Sequence, residues 1–470
     1  MALNRLNMTR SSDILIYNNF GKTGRTYATG LSVFSVSEVQ LLYLHGNGKC
    51  AKIYLELFFG RDSMKKSFGI WILCSLLIVL FAATSFAAAG EKRVVLGIER
   101  IDEPFAKQLL AGKRLGLFTN QSGVDSKLRS STELLQKSYN LTALFVPEHG
   151  LFGAVAAGET FESHTYKDIP VHSLYGENRR PTAKMLDEID TMVVDIQDVG
   201  IRHYTYFSSL AYIMEECAKA KKQVVVLDRP NPLGGAMQGP VLKPEYKTFI
   251  GLYELPLRHG LTIGEFASYI NATQHIGCEL AVVPMKGWSR RELWQDTGLP
   301  WVQTSPLIPT AATAFLYGAN GVSGDSNLSV GVGTAKPFYF LGAPFADADA
   351  VKVALDEKQL AGVAFRAARF TPRYGAYSGE LVQGVEIYLT DLRKVNLPEL
   401  DYILFTTFKE LYPEQVKTPE RGYGSKGYKL DIALGESSLR EGEAPKTAFA
   451  RWHQECSAFA QQVKPYLLYK

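Results

Sequence analysis

The chain has 470 residues, of which 46% are hydrophobic, 21% charged and 11% aromatic. These proportions exclude wholesale disorder, a coiled coil and a collagen-like fibre, and the length allows two or three domains with sizeable cores. The formal charge of +4 is concentrated near the start: residues 1–63 carry seven Lys or Arg against four Asp or Glu, and Lys65 and Lys66 follow. The remainder is close to neutral, which is no electrostatic footprint for nucleic acid.

Met64-Lys65-Lys66 opens a basic stretch, an uncharged apolar run follows from Phe68 to Phe81, and Ser85-Phe86-Ala87 supplies a small-x-small pattern. That order of parts is the layout of a secretory signal peptide over 64–87. The run falls short of the roughly 20 apolar residues that a membrane span needs. An uncleaved N-terminal anchor is the competing reading. The bulky Trp71-Ile72-Leu73 before Cys74 argue against a lipoprotein cleavage site. Because such a signal is read at the N-terminus, residues 1–63 are expected to be an upstream extension that is not made, with translation starting at Met64. The exported chain, from Ala88 onwards, is expected to be periplasmic or secreted, with no stable membrane insertion. Its cysteines, Cys217, Cys278 and Cys456, are odd in number and widely spaced, which argues for three buried thiols over a disulfide framework. No C-x-x-C or H-E-x-x-H is present, so no metal is expected.

Strand and helix patterns alternate from residue 94. Residues 114–119 read as a short apolar strand ending in Asn120-Gln121-Ser122-Gly123, and 132–137 as part of a helix. A second strand, 142–146, ends in Pro147-Glu148-His149-Gly150; 170–174 is a short third; 191–196 is a fourth, ending in Gln197-Asp198-Val199-Gly200. Residues 204–221 read as a long helix and 223–227 as a strand ending in Asp228-Arg229-Pro230-Asn231-Pro232. Thr262-Ile263-Gly264-Glu265 has the spacing of a capping box, and 278–284 is one more strand. Continuous Val/Ile/Leu runs mark strands buried on both faces, and the helices between them mark parallel crossovers. The expectation is an α/β fold, a doubly wound parallel sheet over 92–300. From about 300 the texture changes: Pro306, Pro309 and a Gly-rich stretch over 318–333 mark a boundary region of loops. A strand at 385–389, a helix near 398–411, a polar Gly-rich segment over 412–445 and a closing helix at 447–467 predict a second, smaller α+β domain over 301–470.

Several of the predicted strands hand over to a loop whose side chains can do chemistry. In an open α/β sheet ligands bind at the carboxyl ends of the strands, so these loops are expected to converge on one rim and form a pocket for a polar, hydroxyl-rich or anionic small molecule. Glu148 is the candidate general acid, a carboxyl at a strand end with Gly150 and Gly153 allowing close approach, and the adjacent His149 is a further catalytic candidate. Its structural alternative is a bond to a neighbouring loop's backbone. Asp198 is either a second carboxylate or the partner that orients Arg202. Arg202-His203-Tyr204-Thr205-Tyr206 opens the long helix, and an arginine at a helix N-terminus favours an anionic group; capping and aromatic packing are the alternative. The Asp228 to Pro232 loop is stiffened by its two prolines, and an internally bonded turn is its alternative. Arg258-His259-Gly260 precedes the capped helix and is a candidate to reach the cleft, and Glu265 reads as a cap rather than a catalyst.

A dinucleotide site would need G-x-G-x-x-G after the first strand, where this chain reads T-N-Q-S-G-V-D, so no cofactor is expected. A G-x-S-x-G nucleophile elbow is also absent.

At these motifs the chain resembles a bacterial family, the exo-β-N-acetylmuramidases, long described as a domain of unknown function. The matching stretches are LFTNQSG (117–123), VPEHGLFG (146–153), IPVHSLYGENRRPT (169–182), VVDIQDVGIRHYTY (193–206), VLDRPNPLGG (226–235), LPLRHGLTIGE (255–265) and LGAPF (341–345). They run in the family's order over about 115–345, with weaker similarity to the C-terminus. The resemblance implies a secreted or periplasmic glycoside hydrolase that releases N-acetylmuramic acid from the non-reducing ends of peptidoglycan fragments in cell-wall turnover. It implies a Rossmann-like fold with a smaller second domain and an active site in the cleft between them, with Glu148 on the acidic position of the E-H-G motif. The chain departs from the family where N-x-S-E-G-R-G-T becomes Asn327-Leu328-Ser329-Val330-Gly331-Val332-Gly333-Thr334, and where Leu307 stands in S-P-L-I-P-T for an Asn. If the replaced polar residues bind substrate, the preferred sugar or its peptide substituent differs here.

The mechanism expected on this resemblance has Glu148 protonating the glycosidic oxygen. Asp198 then activates water or attacks, or the substrate's own N-acetyl group does. Carboxyls about 5–5.5 Å apart allow retention, and about 6.5–9.5 Å favours inversion. Arg202 or Arg229 is expected to hold the lactyl carboxylate, with Asn120, Gln121, Gln197, Tyr204, Asp228, Asn231, Arg258 and His259 as further substrate contacts. The rival classes are a non-catalytic periplasmic amino-sugar or muropeptide-binding protein and an NAD-linked oxidoreductase.

Overall fold

Apolar runs too hydrophobic to face water on either side need cover on both, and the strands of the first half find it. The computed structural model describes residues 93–470 except 157, 160, 161, 177, 423 and 424, with the backbone alone for 421, 422, 425 and 426 and for three strands nearer the N-terminus. Those three, β1 (Ile16–Tyr17), β2 (Val39–Leu44) and β3 (Cys50–Leu55), pair antiparallel within a separate unit, Met1–Gly90. The expected signal peptide at 64–87 and the start at Met64 lie outside the described residues.

The unit Glu91–Lys470 is built on a seven-stranded sheet. In chain order come α1 (Pro104–Leu110), β4 (Arg114–Thr119), α2 (Ser131–Ser138), β5 (Asn140–Val146), β6 (His164–Tyr166), β7 (Ile169–Ser173), α3 (Ala183–Leu186) and β8 (Thr191–Asp195). They are followed by α4 (Tyr206–Lys219), β9 (Gln223–Leu227), the antiparallel pair β10 (Gln238–Val241) and β11 (Pro256–Arg258), α5 (Ile263–Thr273) and β12 (Leu280–Val283). The order across the sheet is β12-β9-β8-β4-β5-β7-β6, parallel throughout except for the antiparallel edge strand β6. The chain therefore starts in the middle at β4, winds outward through β5 and β7, returns to β8 on the other side of β4, and winds out again. This is the doubly wound arrangement that the sequence predicts, with its switch point between β4 and β8.

Side-chain alternation divides the sheet into two cores. Phe118, Phe145, Met192, Val194, Val224 and Val226 face the cluster that α4 and α5 complete. Leu117, Leu144, Val193, Val225 and Leu227 face the opposite cluster, closed by Leu110, Leu135, Trp288 and Trp294. The capping box at the start of α5 is present: Thr262 accepts from the Glu265 backbone at 3.2 Å, and the Glu265 carboxylate accepts from the Thr262 backbone at 3.0 Å. Glu265 is also paired with Arg290 at 2.7 Å, which leaves it a structural residue. Cys217, Cys278 and Cys456 are free and buried, as expected.

The second half adds α6 (Ala311–Asn320), β13 (Phe340–Ala343), α7 (Ala348–Asp356), β14 (Val363–Phe370), β15 (Val382–Leu389), α8 (Leu397–Leu411), α9 (Lys429–Leu434), α10 (Ser438–Glu441) and α11 (Pro445–Val463). Its strands form an antiparallel sheet in the order β13-β15-β14. The expected strand at 385–389, the helix near 398–411 and the closing helix are all present. The boundary region predicted as loops instead begins inside α6. That helix is apolar almost all round because it is buried, and Thr310 caps it by accepting from Thr313 N at 3.2 Å. Strand β14 escapes a sequence reading because its Ala residues are poor strand formers; Arg366 on it pairs with the buried Glu386 of β15.

Candidate active site

Where β5 ends, the backbone turns through two consecutive left-handed residues, His149 (φ 74°) and Gly150 (φ 73°). A non-glycine residue there is strained, and the strain is held by a closed loop: the His149 ring nitrogen Nδ1 lies 2.8 Å from the Val155 carbonyl, and Val155 N donates to the His149 carbonyl. The turn directs the half-buried Glu148 into a cleft of about 470 Å³. Gly158 N donates to one of its carboxylate oxygens and Thr205 Oγ1 to the other, each at 3.0 Å. Thr205 is the N-cap residue of α4, yet its hydroxyl caps nothing and instead holds the carboxylate. Tyr175 lies against the same group: burial first, then the Glu148 charge and hydrogen bond, pushes its phenol well above the usual range.

Both halves of the chain line the cleft. His149, Tyr175, Arg179, His203, Tyr204, Thr205, Phe249, Ile250, Leu307 and Ile308 come from the part before α6, and Tyr317, Asp325, Val330, Val332 and Phe338 from α6 onwards; the two sets meet where Tyr317 packs edge-on against His203, ring centres 4.5 Å apart. Burial, reinforced by the Arg202 charge, pulls the His203 ring down to about 3, so it is neutral, and its Nδ1 is buried without a partner. Leu307, Val330 and Val332, the three departures from the family motifs, all line this cleft, so they alter its apolar surface directly.

Of the residues expected to be catalytic, Glu148 and His149 line the cleft, and of those expected to bind substrate, Tyr204 does. The others sit on or near the predicted rim, but the fold uses them. Asn120 donates to the Tyr206 hydroxyl at 2.7 Å, and Gln121 donates to the Gln303 and Thr304 carbonyls at 2.9 and 3.1 Å. Tyr204 and Tyr206 bond Thr304 as well. Together they fasten the segment that carries Ser305, Leu307 and Ile308 into the cleft. Gly153 is needed for this packing, since a Cβ there would strike the Gln121 amide.

The switch-point crevice itself is filled. The voids seen there are about 10 Å³ each: one between Ser122, Gln197 and Arg229 and the residues Trp294, Leu299 and Val302, the other among Gln197, Asp198, Arg229 and Asn231. A dinucleotide has no room in them. Gln197 donates to the Asp198 and Pro230 carbonyls, both at 2.8 Å. Asp198 does not orient Arg202 and does not line the cleft. It accepts from Gly200 N at 2.7 Å and lies 3.7 Å from His259 Nε2, which is buried against Phe207. Arg202 is turned inward, where burial pulls its guanidinium down to about 9; it donates to the Pro240 and Leu255 carbonyls at 2.7 Å and to Leu434 O at the end of α9. There the helix dipole favours a cation.

Arg229 grips Asp195 through two hydrogen bonds at 2.6 and 2.8 Å. Asn231 closes its own turn by accepting from Leu233 N and donating to Leu261 O. Arg258 is buried and donates to Gln238 and Leu233. These residues are held by the fold: the hydrogen bonds they make run to protein groups, although Arg258 Nε is buried with no partner.

Asp228 is the most deeply embedded of them. It accepts from Arg229 N, Gly264 N, Thr262 Oγ1 and Tyr469 Oη, which ties β9 to the start of α5 and to the C-terminus. Burial nevertheless pushes its carboxyl up to about 7 against those bonds. The unfolded chain releases this proton near pH 4, so between roughly pH 4 and 7 the folded chain holds a proton the unfolded chain has lost. Stability is therefore expected to fall as pH rises through that window. Asp228→Asn, which cannot ionise, should flatten the slope; urea midpoints measured from pH 4 to 8 check it, and an unchanged slope would assign the pH dependence elsewhere.

Residues that sequence reasoning passed over are Tyr175, Arg179, His203, Thr205, Phe249 and Asp325. Tyr175 and Arg179 lie in the IPVHSLYGENRRPT stretch and His203 and Thr205 in the helix-opening motif, so the signal was present but carried no role. Phe249 and Asp325 had no local signal at all.

Two family models, described as exo-beta-N-acetylmuramidase NamZ, N-terminal and C-terminal, match residues 115–312 and 315–469. A peptidoglycan beta-N-acetylmuramidase NamZ of Bacillus subtilis (strain 168) is 40% identical over 390 residues, covering 81% of this chain and 92% of that protein. The crystal structure of a DUF1343 family protein (BF0371) from Bacteroides fragilis NCTC 9343 matches with a TM-score of 0.72 and 35% identity, over 80% of this chain and 99% of that one. A second from the same source (BF0379) matches with a TM-score of 0.63 and 26% identity over the same shares.

Proposed function

This chain belongs to the exo-β-N-acetylmuramidase family, and from that membership we infer that it is an exo-acting glycoside hydrolase releasing N-acetylmuramic acid from the non-reducing ends of peptidoglycan fragments. The observation that carries the reading is Glu148: a half-buried carboxyl held at both oxygens and aimed into a cleft of sugar size. A group so fixed can deliver a proton to the glycosidic oxygen as the bond to the anomeric carbon breaks. In this reading Asp325, which lines the cleft where Asp198 does not, takes the place of Asp198 as the second carboxylate. Attack on the anomeric carbon then comes from water activated by Asp325 or from the oxygen of the substrate's own N-acetyl group.

The amphiphilic cleft supports the same substrate class. Aromatic and aliphatic side chains can cover a pyranose face while carboxylates and hydroxyls meet its edge. Export to the periplasm or beyond is part of the proposal; it rests on the basic, apolar and small-residue pattern of 64–87, and it would bring the enzyme to its polymer. Incubation with disaccharide muropeptides should release free N-acetylmuramic acid, identified by mass spectrometry. Binding without any cleavage would instead favour a muropeptide-binding protein.

A further inference from the structure

We propose that Arg179 is the receptor for the substrate's carboxylate, and so the residue that separates N-acetylmuramic acid from N-acetylglucosamine; this rests on the glycosidase reading above. Both arginines expected to do this are committed elsewhere: Arg202 to backbone carbonyls and Arg229 to Asp195. Arg179 is the only Lys or Arg among the described residues that line the cleft.

It differs sharply from its neighbour. Arg180 is paired with Glu215 and Glu216 at 2.6 and 2.9 Å and stacked on Tyr212. Arg179 makes no ion pair or hydrogen bond with the described residues, and its Nε is buried with no partner. What holds Arg179 is aromatic: its guanidinium lies 4.3 Å from the Phe249 ring centre and 5.8 Å from that of Tyr175. Stacking steadies the fork, and its two terminal amino groups, which have no hydrogen-bond partner among the described residues, can meet a planar anion end-on. Tyr175 also touches Glu148, so one tyrosine spaces the cation from the proton donor. A muramic acid residue needs the same separation, since its lactyl carboxylate hangs from carbon 3 and its scissile bond from carbon 1. N-acetylglucosamine has no ionised group to offer. The apolar Val330 and Val332 that also line the cleft provide no second cation.

The test compares Arg179→Met and Arg179→Lys with the wild type in two assays: turnover of a chromogenic β-N-acetylmuramide, and calorimetric binding of free N-acetylmuramic acid and N-acetylglucosamine. Loss of a charge-assisted fork should raise KM for the muramide and weaken N-acetylmuramic acid binding about 10- to 100-fold in Arg179→Met, with N-acetylglucosamine binding within about twofold. Arg179→Lys should recover part of the loss, because it keeps the charge without the fork. An equal loss for both sugars, or none for either, overturns the assignment. Wild-type protein that binds the acid selectively but never cleaves the muramide would sink the glycosidase reading and leave the receptor standing.

Discussion

Glu148→Gln should lower kcat on a β-N-acetylmuramide by about 10²- to 10⁴-fold, the usual contribution of a positioned proton donor. KM should stay within a few-fold of the wild type. The substitution is nearly isosteric, and its environment tolerates the amide: the carbonyl oxygen can still accept from Gly158 N, while the Thr205 hydroxyl, now a donor, can rotate to accept. Folding should therefore be unchanged, and the loss should fall on the chemical step alone. Steady-state kinetics with a matched thermal melt make the check. Turnover within about threefold of wild type would remove Glu148 from the proton transfer, whatever its position in the cleft.

The second large effect concerns stability. Arg229 and Asp195 form a bidentate pair with side chains 4% and 0% exposed, and Arg229 also donates to the Val124 carbonyl. Truncating one partner leaves a bare charge in the sheet, so Arg229→Met should cost about 3–5 kcal/mol in urea unfolding. Combining it with Asp195→Leu should recover much of that loss, because replacing both charges by apolar groups removes the desolvation penalty too. Were Arg229 a substrate contact, as its place on the rim first suggests, the single variant would raise KM and leave stability nearly intact. A stability loss under about 1 kcal/mol would show that the pair does not hold the rim together.

Local patterns explain how much was legible before any coordinates. Apolar runs such as TMVVD and QVVVL can be buried only between two layers, so parallel strands with helices between them follow from the runs themselves. The cap at Thr262 and Glu265 depends on a spacing of three residues, and the turn after β5 on the glycines that follow Glu148. All of these are decided within a few residues of chain, and all are present in the structure.

The polar rim was legible as a place and illegible as a set of roles. Asp228, Arg229, Asn231, Gln197, Arg202 and Arg258 sit on or near it, but whether such a group meets ligand or protein depends on partners that the local chain does not contain. Asp195 is 34 positions from Arg229, and Leu434 is 232 positions from Arg202. The crevice at the switch point was closed from outside by the segment around Trp294 to Thr304, which moved the open cavity toward Glu148 and the second half. Among the described residues, Arg180 pairs with Glu215 and Glu216 while Arg179 lies against Phe249 and Tyr175, a division of labour between two adjacent arginines that only the packed molecule shows. Hydrophobic periodicity is a property of adjacent residues, whereas the satisfaction of a buried charge is a property of the packed molecule, and that difference separates what the chain disclosed from what its folding decided.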